Sequence, residues 1–160
     1  MGNSECLRQL SGQLTIMYLL NPVDKSFCLE QLCASNYQKL LSLIPDLTSI
    51  TRSAVGITQQ PIELYLQILD RTPHTLTIKL SHCFNKNFDS LLIPDVIIRV
   101  YLDAQLAEVL RDFARDSVAR SIDDRRLSKE IMNYKWRLNY FLQKWLEHCL
   151  KQHYQFTANT

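Results

Sequence analysis

Glycine is nearly missing from this chain. Only three of its 160 residues are glycine, and neither GxGxxG nor GxxxxGK(S/T) occurs, which excludes the glycine-rich loops that cradle phosphates. No serine sits in a GxSxG elbow. No CxxC occurs, and the five cysteines, Cys6, Cys28, Cys33, Cys83 and Cys149, are odd in number. A chain long enough to build its own core needs no disulfide framework, so all five are expected as reduced thiols in a cytoplasmic protein. Long apolar runs are absent too. Ile16 to Leu20 is far too short to span a bilayer, and the basic and apolar regions of a signal peptide are missing. "MGNSEC" opens like a myristoylation signal but has Cys6 where Ser or Thr is required. Charge of one sign is also lacking. Eighteen Lys and Arg against sixteen Asp and Glu leave +2 and a pI near 8.3. That is too mild to point to a nucleic-acid or membrane partner.

What remains is globular material for one domain over residues 1–160, with 46% apolar and 21% charged residues. Residues 5–20 read as a weak helix or an arm. "SFCLEQLCASNYQKLLSLIP" reads as a helix capped by Ser26 and ended by Pro45, with Leu29, Leu32, Cys33, Asn36, Leu40 and Leu43 at helical spacing. "PDLTSITRSAVGITQQP" carries turn formers and reads as a loop. Alternation then begins. Ile62, Leu64, Leu66 and Ile68 share one face, and after the turn signal "DRTP" so do Leu76, Ile78 and Leu80. These two strands predict a hairpin. "NKNFDS" reads as a further turn, and Val96, Ile98, Val100 and Leu102 form a third alternating face. From about Asp124 to Gln152, Leu127, Ile131, Tyr134, Leu138, Phe141, Leu142, Trp145, Leu146 and Cys149 form one apolar helical stripe centred on Leu138. The tail "FTANT" reads as frayed.

"VIIRVYLDAQLAEVLRDF" supports two structures. Asp103 can cap a helix through Leu106, Val109, Leu110 and Phe113. Alternatively, Asp103 and Ala104 turn a hairpin that sets Tyr101 against Leu106, Val100 against Ala107, Arg99 against Glu108 and Ile98 against Val109. The Arg99–Glu108 pair would add about 0.2–1 kcal/mol. Against the hairpin stands Ala104, where tight turns prefer Gly or Asn.

Three stretches resemble the YqiB-like family of uncharacterised bacterial proteins: "NYQKLLSLIP", "RVYLDAQLAEV" and "NYFLQKWLEHCL". They bracket residues 25–152 and leave 1–24 as an N-terminal extension. Arg99, Tyr101, Asp103, Ala104, Ala107, Glu108 and Val109 fit the second motif, while Leu102 stands where His is expected. The resemblance implies a small bacterial α+β protein in which "RVYLDAQLAEV" is a strand hairpin, and it supplies no activity. The expected fold is therefore α+β, an antiparallel sheet of about four strands packed against N-terminal helices and one long C-terminal helix.

Four groups of residues were weighed for chemistry. Arg99, Tyr101, Asp103 and Glu108 near a hairpin tip are ligand-binding candidates, although a cross-strand ion pair and a turn former explain them as structure. His82, Cys83, His148 and Cys149 have the side chains of a zinc site without its spacing, and core thiols beside surface histidines are preferred, so no metal is expected. Cys28, Cys33 and Cys149 take buried helical positions with no ordered base beside them. Trp136 and Tyr140, four apart, lie opposite the stripe containing Trp145, among Lys129, Asn133, Arg137, Lys144 and Glu147. They are partner-surface candidates for a protein or a second copy, unless N-terminal helices cover them. "RDFARDSVARSIDDRR" alternates sign and reads as a solvated connector. The expectation is a protein-interaction or adaptor domain with no catalytic residue and no cofactor. A small polar ligand at Arg99 and Glu108 comes second, and weak single-stranded nucleic-acid binding ranks last.

Overall fold

A computed structural model describes residues 22–84, 95–110 and 125–159. In chain order these form α1 (Pro22–Leu43), β1 (Ser53–Ile57), β2 (Ile62–Arg71), β3 (Thr75–Phe84), β4 (Asp95–Tyr101), β5 (Leu106–Val109), α2 (Arg125–Lys151) and β6 (Gln155–Asn159). The expected arm at 5–20, the turn "NKNFDS" and most of the charged connector lie outside the described residues. None of the described helices is long and apolar enough to cross a membrane.

Alternating residues build one antiparallel sheet in the order β5-β4-β3-β2-β1-β6. Leu64 and Leu66, Leu76, Ile78 and Leu80, Val96, Ile98 and Val100 are all buried on one face. The fold class is α+β, with six described strands where about four were expected. Both additions arise where the sequence looked weakest. β1 runs through "SAVGI" inside the expected loop, and β6 runs through the expected frayed tail. Ser, Ala and Gly have low strand propensity, yet Ala54 and Gly56 are both buried. Gly56 is small because the Phe156 ring of β6 lies over it: a Cβ there would meet that ring at 2.7 Å. The residues that hid the strand are thus the ones that let its neighbour pack.

The turns differ in detail from the sequence reading. β2 continues through "DR" to Arg71, with a bulge between Ile68 and Asp70 that leaves Leu69 on the outside. Arg71 then donates to the carbonyls of Thr48 and Ile50, at 3.0 and 2.6 Å, and fastens the segment after α1. The β4–β5 hairpin forms in the expected register, with Arg99 opposite Glu108 and Ile98 opposite Val109. Its turn occupies Leu102–Gln105 rather than Asp103–Ala104 alone, and Gln105 takes the left-handed conformation at φ 55°. Opening the turn by one pair leaves the register unchanged, so Ala104 never has to adopt a primed-turn conformation.

α1 begins at Pro22, four residues before the expected cap, so Ser26 lies inside the helix. Proline suits a first helical turn, and Asp24 lies near the positive end of the helix dipole. The long helix α2 packs through Leu142, Leu146 and Cys149, all 0% exposed, with Trp145 at 7%. The expected stripe centre needs correcting. Leu138 is only half-buried and Phe141 is 47% exposed, while Trp136, Asn139 and Gln143 are buried. The buried face is rotated toward Asn139 because α1 covers that flank. Contacts between the helices advance together along both: Leu32 with Trp136, Asn36 with Asn139, Lys39 with Glu147. The two helices therefore run parallel.

Candidate functional site

The candidate hairpin residues separate into two places. At the sheet face opposite the core, Tyr101 donates its hydroxyl proton to Glu108 Oε1 at 2.7 Å. Lys135 of α2 reaches over β5 to Glu108 Oε2 at 3.5 Å, and Arg99 lies directly across the ladder. Burial, then the hydrogen bond to Glu108, pushes the Tyr101 phenol above its ordinary pKa. Tyr101 is thus held as a neutral donor and Glu108 as an acceptor shared by phenol and ammonium. Asp103 is not part of this group. It stands at the exposed hairpin tip, 2.6 Å from His74 Nδ1.

Cys33 of α1 is buried behind Glu108 as a free thiol. Burial and the negative charge of Glu108 push its pKa up to about 12, which removes it as a nucleophile at neutral pH. Cys149 is likewise free and pushed up to about 12 by burial. Cys28 is buried as expected but is disulfide-bonded, which corrects the reading of all five cysteines as reduced thiols.

The sequence pattern missed what closes the β5 edge. Asn139 Oδ1 accepts the Val109 N–H at 2.9 Å, its Nδ2 donates to the Lys135 carbonyl, and its own carbonyl accepts Asn36 Nδ2 at 3.0 Å. Asn36 and Asn139 are both fully buried. An edge strand presents unpaired backbone groups, and here one helix side chain satisfies one of them. The available signal was an Asn at an apolar-spaced position in each helix.

The structure brings together two of the four residues weighed as zinc ligands. His82 Nε2 lies 3.6 Å from Cys149 Sγ, while His148 is exposed. Among the described residues no group of three or more His, Cys, Asp or Glu could hold a metal ion. Trp145 Nε1–H donates to His82 Nδ1 at 3.2 Å, which places the ring proton on Nε2 toward Cys149 and Tyr154. His82 is thus a neutral donor toward the thiol, not a base acting on it. Burial, then His148, lowers its pKa below 6.5. Above 6.5 the ring is neutral in both folded and unfolded chains. Below 6.5 the unfolded chain binds a proton that the folded chain resists, so stability falls with falling pH by up to about 1.4 kcal/mol per unit. Urea midpoints measured from about pH 7 to about pH 5.5 should show this slope and should flatten in His82→Gln. Equal slopes would remove His82 as the cause.

Trp136 is 3% exposed and lies with Cys28 and Leu32 beneath α1. The covering helix is the alternative that the sequence left open, and it removes Trp136 from any exposed partner surface. Tyr140 stacks on it at 5.0 Å, is half-buried and has Lys144 5.5 Å from its ring centre. A cleft of about 540 Å³ lies at the other side of the sheet, between the β1–β2 turn and the end of α2. It is lined by Ile57, Thr58, Gln59, Gln60, Lys151 and their neighbours through Gln155. It borders none of the hairpin candidates.

Residues 39–155, from near the end of α1 to the first residue of β6, match a family described as a protein of unknown function, DUF1249. The chain belongs to the DUF1249 family. No curated protein and no solved structure matches it. The DUF1249 span contains the whole β4–β5 hairpin, Asn139 and its contact with Val109, and the His82–Trp145–Cys149 cluster. Cys33 and Asn36 precede it.

Proposed function

We propose that this DUF1249 protein is a non-catalytic interaction module that offers the outward face of its sheet to a protein partner. The observation that carries this reading is the exposure of Ile57, Tyr65 and Ile97 on that face, at 49%, 39% and 39%. Val55, directly across from Tyr65, is half-buried on the same side. Gln67 and Lys79 stand among these residues. Apolar side chains grouped on one surface within a polar surround are the usual mark of a contact site. Tyr140 adds at most an edge, since its neighbour Trp136 is covered. A small-ligand site at Arg99, Tyr101 and Glu108 stands second, supported by four titratable groups, with Lys135, gathered at one place. Asp103 does not belong to that group. The net charge of +2 keeps nucleic acid last.

We read the DUF1249 membership together with the YqiB-like stretches as one bacterial family signal, and place the protein in the cytoplasm. The free Cys33 and Cys149 support that setting, and the Cys28 disulfide argues against it. A tagged chain and its Tyr65→Lys/Ile97→Lys variant, compared by cross-linked pull-down, test the surface. The variant should lose the captured partner. An identical set of partners on both, with the fold intact by circular dichroism, would overturn the reading.

A further inference from the structure

The two edges of the sheet are built differently. β5 is four residues long and carries Glu108. Its Val109 N–H is taken by Asn139, and both helices pack against it. β6 is the opposite edge, and among the described strands only β1 pairs with it. Its sequence, Gln155–Asn159, is "QFTAN". It contains no charge and no proline, two of the means by which edges are kept from pairing. The strand is nevertheless firmly held. Its register with β1 runs over five residue pairs, and the Phe156 ring lies over Gly56.

We propose that β6 pairs antiparallel with β6 of a second copy of this chain, about a twofold axis at Thr157, so that the two sheets become continuous. A second copy fits because the strand is its own complement. The axis sets Gln155 opposite Asn159, two uncharged positions. It sets Phe156 opposite Ala158 and Thr157 opposite itself, again with no charge at any position. A symmetric contact must be self-complementary, and any charged residue near the axis would meet its own image. This strand has none, and Lys151 lies beyond its start, where antiparallel pairing keeps the two copies' lysines at opposite ends. The contact is short, so the dimer is weak and depends on concentration.

This inference does not rest on the outward-face reading, and the two fail separately. It concerns the purified protein alone, and Tyr65→Lys/Ile97→Lys should leave it unchanged. Sedimentation velocity from micromolar to near-millimolar protein should show a monomer–dimer equilibrium. Thr157→Lys, which sets two ammonium groups face to face at an exposed position, should weaken that dimer severalfold. Thr157→Cys should give a covalent dimer on mild oxidation, well above the level of Ser42→Cys, an exposed control on α1. A wild type that stays monomeric throughout the range overturns the proposal, as does a dimer that Thr157→Lys leaves intact. Should Thr157→Lys misfold by circular dichroism, Thr157→Cys decides: cross-linking no greater than the control overturns it.

Discussion

Leu142→Ala is expected to destabilise the protein by about 2–5 kcal/mol, because Leu142 is fully enclosed and its removal leaves a cavity in the shared core of sheet and helices. Phe141→Ala, one position along the same helix, should cost under about 1.5 kcal/mol despite removing a larger side chain, since nearly half of Phe141 is already in water. Leu138→Ala should fall between them, because Leu138 packs at the edge of the cluster. Urea denaturation of the three variants gives the order. Phe141→Ala costing as much as Leu142→Ala would show that α2 sits on the sheet by the face centred on Leu138 after all.

The second large effect belongs to a polar residue. Asn139→Ala removes the acceptor of the Val109 N–H and leaves that donor buried, at about 1–3 kcal/mol for an unsatisfied group, with a further loss from the space vacated. Asn139→Asp, which keeps the acceptor oxygen but adds a buried charge, should not rescue stability, although Lys135 lies one turn away. Asn36→Ala should cost less. It removes one hydrogen bond to the Asn139 carbonyl and leaves the β5 edge capped. Thermal and urea midpoints check the order. Asn139→Ala within about 0.5 kcal/mol of wild type would mean the contact contributes nothing.

These two residues also show why part of the fold was legible in the sequence and part was not. Alternation at 62–68, 76–80 and 96–100 placed three strands on the correct face, because one buried face forces a period of two. The β4–β5 register was legible because an opposite-charge pair and an apolar pair agreed on one alignment; Ala104 spoke against the turn, and the family resemblance decided for the hairpin. β1 and β6 were not. Their small or uncharged residues are selected by their fit to each other, Gly56 under Phe156, and no local pattern records that relation. The rotation of α2 escaped for a related reason. Asn139 and Gln143 lie outside the apolar stripe that periodicity draws, yet both are buried where α1 closes over them and supplies Asn36 and Ser35. Trp136 followed the same rule, counted outward by periodicity and covered by α1.

The candidate site was half legible. Arg99, Tyr101 and Glu108 do gather, as the hairpin requires. Lys135 and Cys33 join them from two helices, which no spacing within the hairpin encodes. Asp103 was grouped with them by proximity in sequence, but a turn residue projects away from the ladder and meets His74 instead. His82 and Cys149 came together although the four-ligand zinc pattern failed. Adjacent residues diverge, but one residue from each pair can still meet across the core, as His82 and Cys149 do.

The account rests on the helices closing one edge of the sheet through Asn139. Amide hydrogen exchange at Val109 tests this most directly. Although Val109 lies on an edge strand, its amide should exchange as slowly as the interior β3 amides, and Asn139→Ala should release it. Exchange at Val109 as fast as at an exposed amide in the wild-type protein would contradict the account.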